Sequence, residues 1–342
     1  MSEAAIAPTI VRPSLGERLE GWLPALLVPI VALGGLALIG VPTTWLTLTA
    51  AGLAMGMMIF LMASGLTIVF GLMDVINFGH GAFIAVGAFV GVTVLAGLAG
   101  WTGAPSVALN LAALAAALIV AMAATGALGW LFERVIVRPV YGFHLKQILV
   151  TMGGLIIAQQ LIHVIWGPDA ITISRPQTLK GSVVVGGALI ETYRILAAGL
   201  GLVVFIAMRV VLTRTRIGLL VRAGVENGEM VEALGYRIRR LFVAVFMVGS
   251  ALAGAGGVMW ALYQETITAH MGSEIMILVF IVVIIGGLGS IEGCFIGALL
   301  VGLLANYTAF LAPKVALISN IGLMVLILMW RPQGLYAVVK AK

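Results

Sequence analysis

The chain has 342 residues, 62% of them hydrophobic and only 9% charged, whereas soluble domains carry about 25% charged residues. So little charge cannot coat a globule in water, which sets aside cytosolic enzymes, nucleic-acid binders and disordered chains and leaves an all-α polytopic transmembrane bundle. The formal charge of +6 fits basic loops gathered on one face of a membrane better than a nucleic-acid surface.

Residues 1–22 form a polar cytoplasmic N-terminal extension with Arg12, Pro13, Arg18 and three glutamates. The apolar run from Leu23 to Val41 is too long for a signal-peptide core and reads as a retained first span. Further apolar stretches follow at 45–70, 82–99, 106–131, 147–166, 190–212, 241–263, 275–289, 294–311 and 316–330. Each suits a membrane helix, for which roughly 20 apolar residues are needed. The count is ten spans, or eight with two re-entrant hairpins. With a cytoplasmic N-terminus, fifteen of the nineteen basic residues fall inside and only Arg175, Lys180, Arg194 and Lys314 outside. The positive-inside bias therefore predicts that both termini are cytoplasmic. Continuous runs rule out a barrel, whose strands alternate polar and apolar residues. Glycine-rich spans such as Gly249–Gly257 let helices approach closely in lipid.

The first interruption is Phe70–Gly81, which places Asp74, Asn77, Phe78 and His80 between two apolar runs. Irregular backbone and ionisable residues at membrane depth mark a cavity or pathway. A cytoplasmic turn, with Asp74 or Asn77 capping the next helix, is the competing reading. Asn110, Gln159, Gln160, His163 and Asn306 lie inside spans, where amides commonly join neighbouring helices. No series of acids and histidines suggests a proton relay.

The longest inside segment, 213–240, holds a predicted short helix over 225–234 with a stop at Gly235. Glu226, Glu229 and Ala233 share one strip of that helix, and Met230 and Leu234 another. A two-turn helix without a core of its own needs something to dock on; the alternative is a charged loop on lipid headgroups. The second interruption, Ile285–Gly293, contains Gly286, Gly287 and Ser290. Gly81–Ala82–Phe83–Ile84 and Gly293–Cys294–Phe295–Ile296 follow the two breaks, which predicts an internal repeat. The single cysteine, Cys294, has no disulfide or metal partner.

Five stretches in order resemble the permeases of branched-chain amino acid ABC importers. They are Gly65–Leu66 through Ile76–Asn77–Phe78–Gly79–His80–Gly81, Arg138–Pro139, the 213–240 loop with Leu252–Gly257, Gly286–Gly287–Leu288–Gly289–Ser290, and Arg331–Pro332–Gln333–Gly334–Leu335. Length and the Ile76–Gly81 form are most similar to the LivH-type subunit, and Gly79 replaces the family's usual alanine. The resemblance implies a permease domain over 23–336 with a C-terminal tail at 337–342, placed in the bacterial inner membrane. It also implies a LivM-type second permease, two ATP-binding subunits, a periplasmic substrate-binding protein and no cofactor. Asp74, Asn77, Phe78, His80, Gly286, Gly287 and Ser290 would line or gate the pathway. Arg222, Glu226, Glu229, Met230, Ala233, Leu234 and Gly235 would couple it to the ATPases. The cargo implied is a branched-chain or other hydrophobic amino acid; related systems carry urea, short amides or aromatic acids. An ion-coupled carrier is the more distant alternative. No Gly-x-x-x-x-Gly-Lys-Ser/Thr phosphate loop occurs in the chain, so hydrolysis would come from another subunit.

Overall fold

A computed structural model describes residues 15–226 and 228–336; the rest of the N-terminal extension and the tail at 337–342 lie outside the described residues. Each predicted apolar stretch lies on a helix. In chain order these are α1 (Leu15–Ile39), α2 (Pro42–Met73), α3 (His80–Gly97), α4 (Ala99–Thr102), α5 (Val107–Phe132), α6 (His144–Trp166), α7 (Thr192–Arg214), α8 (Arg216–Glu226), α9 (Gly228–Ala233), α10 (Ile238–Gln264), α11 (Met271–Gly286), α12 (Ile291–Leu311) and α13 (Ala316–Trp330). Among the described residues seven helices are long and apolar enough to cross a membrane, and shorter apolar helices cover Leu23–Ile39, Met271–Gly286 and Ile318–Trp330. The protein is a polytopic helical membrane protein. α1 starts at Leu15, ahead of the apolar run, so the boundary predicted at residue 22 falls inside a helix.

The body is helical as expected, but it is not purely so. Strands β1 (Ile171–Thr172), β2 (Ser182–Val185), β3 (Ala188–Glu191) and β4 (Thr266–Ile267) pair antiparallel as β1 with β4 and β2 with β3. The β2–β3 hairpin turns through Gly186 and Gly187, both at positive φ, as a two-residue hairpin turn of the primed type requires. The three valines of β2 favour the extended state.

α2 is the central helix, packing on α12, α10, α7 and α11, while α10 also packs on α3 and α5. Small residues permit this. A Cβ on Gly65 would be driven into the Gly249 carbonyl oxygen, so α2 and α10 touch backbone to backbone. Around this seam Phe83, Phe132 and Phe246 form an aromatic cluster with centroids 5.3 and 6.0 Å from Phe83. Dispersion at such contacts holds the helices together where lipid supplies no hydrophobic drive.

Contacts sort the connections into two ends. At one end lie the two interrupted segments, the 215–237 connection and the Arg331–Tyr336 ending, joined by Gly71 against Gly289 and by Leu335 N–H to the Ile285 carbonyl at 2.8 Å. At the other lie the two small sheets. There Arg175 bridges Glu191 at 2.7 Å and Glu265 at 2.9 Å, and donates to the carbonyls of Leu262 and Tyr263. Arg194 closes this clasp on Glu191 at 2.9 Å.

Candidate functional site

The first interruption is not a tight turn. α2 ends at Met73 with Asp74 in the left-handed region at φ 51° and exposed, its N–H bonded to the Phe70 carbonyl. Yet His80 Nε2 lies 2.8 Å from the carbonyl oxygen of Met62. Met62 precedes the end of α2 by eleven residues (73 − 62), roughly 16 Å of helix at 1.5 Å per residue. Residues 74–79 therefore run back along α2 and start α3 deep in the bundle, a reach that six extended residues, about 20 Å, can cover. Contacts with α6 agree with this placement. Phe78 N–H donates to Thr151 Oγ1 at 3.1 Å, and Leu155 lies beside Gly81. α11 begins at the same level, because a Cβ on Gly272 would be driven into the Gly81 carbonyl.

Neither Asp74 nor Asn77 caps α3, contrary to the turn reading. Gly79 is the N-cap and no side chain bonds there. Asn77 is 1% exposed, and its Oδ1 and Nδ2 have no hydrogen-bond partner. Phe78 packs its ring 4.7 Å from Phe280 of α11. His80 is buried and held by α2. Asn77, Phe78 and His80 thus meet α2, α6 and α11 inside the subunit, while Asp74 stays at the surface.

The second interruption is a tight hairpin. Gly286 and Gly293 pack backbone to backbone, and Gly297 sits beside the Val282 carbonyl. Ser290 N-caps α12, its Oγ accepting from the Gly293 N–H at 3.1 Å. Gly287 adopts φ +96° because the carbonyls of Gln333 and Tyr336 close over it. Leu335 and Tyr336 donate their N–H groups to the carbonyls of Ile285 and Gly286, at 2.8 and 3.1 Å. The Arg331–Leu335 stretch therefore caps the C-terminus of α11, which explains why it accompanies the Gly286–Ser290 stretch. The two breaks meet at Gly71 and Gly289 but differ in build, one re-entrant and one tight.

The 213–240 loop holds more helix than the 225–234 stretch expected. α8 already begins at Arg216, and α9 covers Gly228–Ala233, with Asn227 between them outside the described residues. Thr215 Oγ1 accepts the Gly218 N–H, an N-terminal signal missed in sequence. The stop at Gly235 is as predicted. Gly235 at φ +88° donates to the Glu232 carbonyl and Tyr236 N–H to that of Val231, the paired bonds of a Schellman cap. Val231 is buried, whereas Met230, Leu234 and Tyr236 are 60%, 70% and 53% exposed. Ala233 is exposed beside them. The side chains of Glu226 and Glu229 lie outside the described residues. Arg222 is exposed, and its Nη2 donates to the Leu212 carbonyl at 3.0 Å, which ties α8 to α7. Gly224 packs near Leu72, at the foot of the re-entrant segment. Nearby, Tyr141 O–H donates to the Glu133 carboxylate at 2.6 Å; burial, then that hydrogen bond, raises the phenol's pKa above its ordinary range.

Sequence reasoning missed the Arg175 clasp, whose partners lie far apart along the chain, and the shared level of the α3 and α11 starts. Among the described residues no group of three or more His, Cys, Asp or Glu could hold a metal ion.

A family model described as branched-chain amino acid transport system / permease component matches residues 48–329. The high-affinity branched-chain amino acid transport system permease protein BraD of Pseudomonas aeruginosa is 32% identical over 294 residues, covering 83% of this chain and 93% of that protein. The corresponding LivH of Escherichia coli is 27% identical over 297 residues, 83% of this chain and 92% of its own length. A probable branched-chain amino acid transport permease protein LivM from Methanocaldococcus jannaschii is 32% identical over 105 residues, 29% of this chain and 30% of that protein. No solved structure matches.

Proposed function

The chain belongs to the family of permease components of branched-chain amino acid transport systems, LivH-type subunits of ABC importers, and on that premise we propose how it works within such an importer. It forms half of a translocation pathway with a LivM-type partner, in a bacterial inner membrane. Two separate ATP-binding subunits dock on its cytoplasmic end and a periplasmic binding protein delivers substrate to the other. The distribution of basic residues supports the end bearing α8 and α9 as the cytoplasmic one. Relatives named for branched-chain amino acids do not favour the urea, amide or aromatic-acid alternative, nor an ion-coupled carrier.

One observation carries the mechanism: the stretch from α9 to Tyr236 exposes Met230, Leu234 and Tyr236 while α8 is packed on Leu72 at the end of α2. Three large apolar side chains so exposed on one short stretch gain little unless another surface covers them. When ATP draws the two ATPases together, the bound α9 moves with them. The displacement passes through α8 to the end of α2, from which residues 74–79 carry it to Asn77 and His80 in the interior. Two states with different contacts at the ATPase surface are what such coupling requires. Asn77, Phe78 and His80 then belong to an inner gate, with Gly286, Gly287 and Ser290 as its hinge.

The test is uptake of labelled leucine into proteoliposomes holding both permeases, both ATPases and the binding protein. Uptake should require ATP and every component. Uptake by the permeases alone along an ion gradient would contradict the reading.

A further inference from the structure

Glu274 stands in the first turn of α11 and is exposed. Its depth follows from its neighbour. Gln159 Nε2 donates to Ser273 Oγ at 3.2 Å, and Gln159 precedes the end of α6 at Trp166 by seven residues (166 − 159), roughly 10 Å of helix. Trp166 donates its indole N–H to Thr93 at 2.8 Å, at the kind of helix end where tryptophan marks the membrane interface. Since α11 runs from there toward the tight hairpin at Gly286, Glu274 lies at least that far below the interface, about a third of the way through a hydrocarbon layer of about 30 Å. Among the described residues its carboxylate has no hydrogen-bond or ion-pair partner.

A helix first turn favours an acid, but an outward-facing, unpaired carboxylate at that depth is strongly disfavoured against lipid. The surroundings are also polar. His270, four residues earlier and so on the same helix face, is exposed, with its ring 5.6 Å from that of His163. The neighbouring Gln160 is exposed on α6. One turn further along α11, Ile277 is 62% exposed.

We propose that this face is a substrate subsite for an aliphatic α-amino acid in its zwitterionic form. The Glu274 carboxylate accepts hydrogen bonds from the ammonium group, and Ile277 packs against the branched side chain. The subsite rests on the permease reading above and adds to it: selection for an amino group is built into the membrane subunit itself, apart from the binding protein.

The test uses the complete complex in proteoliposomes. In Glu274→Gln, leucine uptake should fall about tenfold or more, the loss expected for one charge-assisted hydrogen bond, while ATP hydrolysis stimulated by the binding protein persists. Glu274→Asp should restore most of the uptake. A purely structural role would lower hydrolysis and uptake together and would overturn the proposal, as would a Glu274→Gln complex that imports like the parent. Where Glu274→Gln fails to assemble, Glu274→Cys in the full complex decides by labelling with a membrane-impermeant thiol reagent. Labelling slowed by leucine supports the subsite, and a thiol out of reach of the reagent overturns it. Absence of ATP-driven uptake by the parent complex would instead count against the permease reading, and the labelling arm, which needs no transport, keeps the two failures apart.

Discussion

Asn77 and Tyr141, one buried and one half-buried, show how differently two polar side chains behave. Tyr141 supplies a 2.6 Å hydrogen bond to Glu133, whose residue is 2% exposed. Tyr141→Phe takes that donor away and should cost about 1–3 kcal/mol of stability, seen as a lower unfolding temperature in detergent. Asn77 makes no side-chain hydrogen bond in this state, so Asn77→Ala removes no stabilising bond. Its unfolding temperature should equal or exceed the parent's while leucine uptake falls, because an unsatisfied buried amide is retained for another state of the protein. A destabilised but fully active Asn77→Ala protein would make the residue a structural one. Gly65 is the counter-example in the packing. Gly65→Ala would push a methyl into the Gly249 carbonyl, and such overpacking costs about 1–3 kcal/mol. At this scale the sequence could nominate Asn77 and His80 from their polarity alone. It could not say that His80 pairs with Met62, eighteen positions back, since that depends on where the chain re-enters.

Among elements, the membrane helices were readable because burial in lipid leaves little choice: a long apolar run must satisfy its backbone internally. Short elements were not, since neighbours decide them. Nothing local separates the re-entrant Asp74–Gly79 segment from the tight Gly287–Ser290 hairpin; both are glycine-rich breaks between apolar runs. The difference lies in what receives them, Thr151 and Met62 in one case, Gln333 and Tyr336 in the other. α9 was half legible. Its stop at Gly235 followed from glycine's access to positive φ, but the helix start at Arg216 did not. Gly235→Val should strain the cap by about 1–2 kcal/mol and loosen α9. Leu234→Glu, at a side chain already 70% exposed, should leave folding intact yet abolish the stimulation of ATP hydrolysis by the binding protein. Stimulated hydrolysis at the parent rate in Leu234→Glu would free α9 of its coupling role.

At the scale of the molecule, the chain joins two ends of a bundle through one central helix. α2 contacts the β2–β3 hairpin near Gly186 and Gly187 through Leu46 and Thr43, and contacts α8 near its other end through Leu72. The Arg175 clasp ties β3, the end of α10 and Glu265, which leads into β4, together at the hairpin end, while α8 and α9 leave apolar surface open at the other. A clasped end and, opposite it, an end with exposed apolar side chains suit the proposed drive through α8 and α9. The native chain has one cysteine, Cys294, and it is buried, so a thiol introduced at the 60% exposed Met230 reports with little background. Crosslinking from Met230→Cys in membranes that hold the whole transporter is therefore the most direct measurement. The predicted result is capture of an ATP-binding subunit, with a yield that changes when hydrolysis is arrested. A Met230→Cys thiol that reacts freely with small reagents but never captures an ATP-binding subunit would contradict the account.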